Sequence, residues 1–117
     1  MTWYKESKDF SQKNLINKKI KFLKTMKRNL DYLRKYVFQN GSHTKKIILS
    51  YISDKKLSSY PPIRDGLIEA SSIVLDSPHR FAKACQEITE RIDKQIYILK
   101  KDRKEFDNPE KFKKGWY

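Results

Sequence analysis

The chain has 117 residues, with 27 Lys and Arg against 14 Asp and Glu, a formal net charge of +13. Only three Gly and four Pro exclude collagen-like and Gly/Ser low-complexity chains, and 38% hydrophobic residues, regularly spaced, argue against full disorder. The length fits one helical domain, 1–117, with 107–117 as a tail that is either free or packed.

Residues 10–39 lack Gly and Pro and carry Ile16, Ile20, Leu23, Met26, Leu30, Leu33 and Val37 in steps of three and four. That spacing predicts a long amphipathic helix with a nearly heptad seam. Asn40-Gly41-Ser42 reads as a helix stop followed by a new N-cap. Ile47-Ile48-Leu49, Tyr51-Ile52 and Leu57 predict a short helix over 43–58. Pro61-Pro62 opens a third helix over 61–76, carrying Ile63, Leu67, Ile68, Ile73, Val74 and Leu75. Ser77-Pro78 repeats the N-cap and first-turn proline signature. Phe81, Cys85, Ile88, Ile92, Ile96 and Leu99 then predict a second long helix over 78–105.

The expected fold is all-α: two long antiparallel helices, 10–39 and 78–105, with two shorter helices between them in a helical bundle. Neither long helix can bury its seam alone, so each is expected to cover the other. That pairing would gather Trp3, Tyr4 and Phe10 with Phe106, Phe112, Trp116 and Tyr117 in an aromatic cluster at the chain ends.

The charge is unevenly placed. Residues 13–41 hold nine Lys and Arg against Asp31 alone, whereas 61–96 are close to neutral. At about 100° per residue, Lys21, Arg28 and Lys35 fall opposite the Leu23/Leu30 seam. Lys18 and Lys24 flank them, and Tyr32 and Tyr36 share the outward region. Like charges at this spacing repel, and solvent, salt or an anionic partner offsets the repulsion. Lys and Arg neutralise phosphates with release of counterions, and tyrosine stacks on unpaired bases. Lys18, Lys21, Lys24, Arg28, Tyr32, Lys35 and Tyr36 are therefore the candidate nucleic-acid-binding residues. A solvated helix face that only keeps the protein soluble is the bland counterpart.

The competing expectation is a protein-interaction module, an accessory subunit, regulator or inhibitor that docks on an acidic protein surface or assembles as a homo-oligomer. Phe22, Phe38, Tyr97 and Ile98 lie off the main stripes and would serve such contacts. A membrane-surface helix ranks below nucleic acid, because the seam of the basic helix has a partner within the chain.

Catalysis finds little support, and no enzyme, cofactor, metal site or small-molecule substrate is expected. One cysteine, Cys85, excludes an internal disulfide or Cys-based zinc cluster and lies on an apolar seam as an inert thiol. His43 and His79 sit in helix-start positions. Glu87, Glu90 and Asp93 read as a solvated face or as partners for first-helix lysines. The second and third helices are spaced like a helix-turn-helix, but Asp65, Glu69 and Asp76 make the latter a poor recognition helix. No apolar run reaches the roughly 18 residues of a membrane span, and Met1-Thr2-Trp3-Tyr4-Lys5-Glu6 lacks a signal-peptide core, so a cytoplasmic protein is expected.

Overall fold

The computed structural model describes the backbone of residues 2–107 and the side chains of residues 11–105. Four α-helices follow one another: α1 (Thr2–Tyr36), α2 (Gly41–Ile52), α3 (Pro61–Ile73) and α4 (Pro78–Asp107). A 3₁₀ turn, Lys55–Ser59, sits between α2 and α3, and the described residues contain no strand. The all-α fold with two long and two short helices is as the sequence predicts. The expected aromatic cluster and the tail fall on side chains and residues outside those described.

The seam forms as its periodicity requires. Leu23, Met26, Leu30 and Leu33 of α1 are buried, as are Phe81, Cys85, Ile88 and Ile92 of α4. Polar contacts fix the direction and register. Lys27 Nζ lies 2.7 Å from Asp93 Oδ1, and Arg103 Nη1 donates to Asn17 Oδ1 at 3.0 Å. Ten residues back along α1 match ten forward along α4, so the two helices run antiparallel in even register.

The short helices fold back on the same side. Asn29 Nδ2 donates to the Tyr51 hydroxyl, and the rings of Tyr36 and His43 meet edge-on at 5.9 Å, which aligns α2 antiparallel to α1. Arg91 Nη1 donates to the Pro62 carbonyl at 2.8 Å, which ties α3 to α4. Ile48, Leu57, Ile63, Leu67, Ala70 and Val74 close the core. The result is an up-down-up-down bundle in which about 20 Å of short helix covers a hairpin whose α1 alone is about 52 Å long. The molecule measures 61 × 21 × 20 Å, and its radius of gyration of 18.3 Å exceeds the roughly 13 Å of a compact chain this long.

Helix boundaries depart from the sequence reading for local reasons. Helix α1 begins at Thr2 rather than at 10, because residues 2–9 hold no Gly or Pro to stop it. It ends at Tyr36, whose carbonyl accepts from both Gln39 and Asn40 in a tight turn. Asn40, not Ser42, caps α2: its Oδ1 accepts from the His43 backbone N–H at 3.0 Å. Gly41 adopts no positive φ and is simply the first helical residue. The expected helix over 43–58 is divided at Asp54, whose carboxylate accepts from Lys56 N–H at 2.9 Å and starts the 3₁₀ turn. Helix α3 stops at Ile73 rather than 76, and Ser77 caps α4 through its Oγ and the Arg80 N–H.

Gly66 marks the closest approach of α3 to α4. A methyl group there would lie 2.9 Å from Ile88 Cγ1 and 2.9 Å from Arg91 Nη1. Ile88 is buried and cannot retreat. Gly66→Ala would gain roughly 1 kcal/mol of helix propensity, yet forcing the helices apart costs about 1–3 kcal/mol. The expected outcome is a net loss of stability, read as a lower urea midpoint by circular dichroism.

Candidate nucleic-acid interface

Burial of the seam decides what α1 shows to solvent. Lys21, Lys24, Arg28 and Lys35 are all exposed on the opposite side. Lys21, Arg28 and Lys35 repeat every two turns, about 10 Å apart along the axis. Lys24 fills the first gap, within one turn of both Lys21 and Arg28. None of these four makes an ion pair with a described residue. Asp31 is exposed one turn from Arg28 and from Lys35 and pairs with neither. Lys27, on the flank facing α4, is the cation that Asp93 takes, as the sequence allowed for that carboxylate. The ridge is therefore an unneutralised row of cations about 20 Å long.

The two tyrosines divide the work. Tyr32 is 63% exposed and stacks on Tyr36, with ring centroids 5.5 Å apart and planes 17° from parallel. Tyr36 was expected to face outward beside it. It is instead half-buried, packed against the core on one side and edge-on to His43 on the other. Tyr36 holds Tyr32 in place, and Tyr32 presents the free ring face. Such a ring, rigid at low entropic cost, is a stacking platform.

Lys18 also departs from the ridge. It lines a cleft of about 240 Å³ between α1 and the 3₁₀ turn, with Leu15, Lys19 and Phe22 from α1 and Lys56 and Tyr60 from beyond α2. The Lys56 ammonium sits 5.5 Å from the centre of the Phe22 ring. Phe22, expected as an off-stripe contact residue, is half-buried and belongs to this cleft.

A second cationic group was missed by sequence reasoning. Tyr97, 70% exposed, borders a shallow depression with Lys100, Lys101, Arg103 and Lys104 on the last turns of α4. The antiparallel register sets Tyr97 level with Leu23 and Lys100 level with Ile20. The cations at the end of α4 therefore lie level with Lys18 and Lys19, whereas Lys24 to Lys35 of the ridge lie level with the stretch of α4 that carries Glu87, Glu90 and Asp93. The clue available in the sequence was the register itself, once the two seams are matched end to end.

The other constellations take their structural places. His79 is exposed with its ring 5.0 Å from Phe38, and His43 is exposed in the first turn of α2. Asp65 and Glu69 are exposed on α3, so that helix offers acid where a recognition helix needs base. Among the described residues no group of His, Cys, Asp and Glu is arranged to hold a metal, and no helix is long and apolar enough to cross a membrane. Comparison with protein-family models, curated proteins and solved structures returns no match.

Cys85 is buried on the seam, and burial pushes its thiol from the ordinary 9.0 up to about 12; Arg34 pulls the other way, and Asp31 adds slightly to the rise. The folded state keeps the neutral thiol, so its contribution to stability is full below pH 9 and is lost as pH rises toward 12. A thiol reagent at pH 8 is expected to leave Cys85 unmodified in the native protein and to titrate one thiol at once in denaturant. Rapid reaction of the native protein would contradict a sealed seam.

Proposed function

We propose that this chain is a nucleic-acid-binding protein whose contact surface is the outer ridge of α1. The observation that carries the reading is the unneutralised row Lys21, Lys24, Arg28 and Lys35, with the exposed Tyr32 between its last two cations. Each cation can neutralise a phosphate and release its counterion, which makes affinity steeply salt-dependent. Arg28 can grip a phosphate with two parallel hydrogen bonds, whereas the lysines act as point charges. Tyr32 adds a π face between Arg28 and Lys35, where an unpaired base can stack. The side chains project from one continuous helix, so the spacing of the charges is fixed before any ligand arrives and little order is lost on binding.

A second reading has its own support. Phe38 and Leu75 are 53% and 54% exposed in the two loops at one end of the bundle, just beyond the Lys35 end of the ridge. Apolar groups of that size suit a protein contact. In that reading the chain docks on an acidic protein surface through ridge and loop end together.

The decisive variant replaces Lys21, Arg28 and Lys35 by Glu. The expected result is loss of oligonucleotide and heparin binding with helical content unchanged, since all three are exposed. The milder triple Ala variant should retain weak binding and lower the slope of log affinity against log salt by about 2, near 0.7 per phosphate contact on a single strand. Full binding by the Glu variant would move the site elsewhere. Binding that also requires Phe38 and Leu75, on a protein ligand and not on nucleic acid, would favour the second reading.

A further inference from the structure

The cleft between α1 and the 3₁₀ turn has a composition that the ridge lacks. Its floor is apolar, with Leu15, Phe22 and Tyr60, and its rim carries Lys18, Lys19 and Lys56. No carboxylate lines it among the described residues. Its volume of about 240 Å³ equals roughly eight water molecules at about 30 Å³ each. That is room for a planar ring system. The Lys56 ammonium, from the rim, lies over the Phe22 ring, so one π face of that ring is turned towards the rim and is covered by a cation.

We infer that this cleft seats one unpaired base of a single-stranded nucleic acid, with its flanking phosphates on Lys18, Lys19 and Lys56. The inference rests on the nucleic-acid reading of the ridge and extends it. A base supplies the ring that the apolar floor accepts, and the phosphates on either side supply the anions that three rim lysines require. When the base enters, Lys56 exchanges the π face of Phe22 for a phosphate, so neither group is left without a partner. Lys18 lies within one turn of Lys21, which joins the cleft to the ridge without a gap. A strand anchored at the cleft then runs along the ridge towards Tyr32, the second stacking point. A duplex cannot make the first contact, because its bases are stacked and paired within the helix. The protein should therefore prefer single strands to duplexes carrying the same number of phosphates.

Three probes of equal phosphate number test this: a single-stranded oligonucleotide, the same strand without bases, and a duplex. Phe22→Leu removes the π face and keeps the apolar bulk and the charge. Leu15→Gln alters an exposed floor residue and serves if Phe22→Leu melts early by circular dichroism. The wild-type protein is expected to bind the single strand at least tenfold more tightly than the base-free strand or the duplex, in line with stacking of one base on an aromatic ring. Either variant should lose about tenfold on the single strand and less than twofold on the other two probes. Equal wild-type affinity for all three probes, or an equal loss on all three in the variants, would overturn the cleft assignment and leave the ridge intact. Binding of no probe by the wild-type protein would overturn both. Tighter, Phe22-dependent binding of an acidic peptide would hand the cleft to a protein ligand and overturn the inference.

Discussion

The antiparallel seam between α1 and α4 is the interaction on which everything else in this protein depends. Each fully buried Leu, Ile, Met or Phe along it contributes about 1.5–3 kcal/mol relative to exposure. The Lys27–Asp93 pair on its edge is half-exposed on both sides, and such pairs contribute about 0–1 kcal/mol. The apolar seam therefore holds the helices together, and the polar pair marks the register in which they meet. Once the seam is buried, the rotation of α1 is fixed. Lys21, Lys24, Arg28 and Lys35 have then no freedom to face anything but solvent.

That ordering explains how the chain tolerates so much like charge on one helix. Repulsion between like charges one turn apart costs about 0.2–0.5 kcal/mol for each pair on an isolated helix. The ridge contains few such pairs, and one buried seam residue outweighs several of them. The charge cost is met within the helix that bears it, and a ligand that removes it gains the same amount. Asp31 stands one turn from Arg28 and from Lys35 without pairing with either, and other carboxylates are engaged or placed elsewhere. Asp93 is taken by Lys27, and Asp65 and Glu69 are on α3, on the far side of the bundle.

Much of this was legible in the sequence, and the reason is periodicity. Steps of three and four picked out every buried apolar residue of α1 from Ile20 to Val37 and of α4 from Phe81 to Leu99, and passed over the buried Thr89. The face opposite the seam followed from the same count. What the count could not give was the relation between helices. Asn40 and Asp54 bend the chain through single side-chain-to-backbone hydrogen bonds, which compete with helix without altering the apolar pattern. Tyr36 turns inward because α2 returns along that flank and offers His43. Tyr97 and the cations around it gained a neighbour only when α4 was laid against α1 in register.

The cleft has the same origin, a mismatch of lengths. Helices α2 and α3 have 12 and 13 residues and cover only part of a hairpin built from helices of 35 and 30. Where α2 ends, Leu15 and Phe22 lose the helix that would have sealed them, and the 3₁₀ turn passes alongside without filling the space. A longer α2 would have closed the core and buried these residues beside Ile20 and Leu23. Asp54 prevents that by ending the helix early, and the chain then needs only five residues of tighter helix to reach Pro61. The α1–α2 side is joined by a hydrogen bond, a ring contact and a cation over a ring, whereas the α1–α4 side is joined by continuous apolar packing. Polar contacts spaced two turns apart open at lower cost than a packed seam. The surface that can adapt to a ligand therefore lies beside the ridge, and the surface that must stay shut lies behind it.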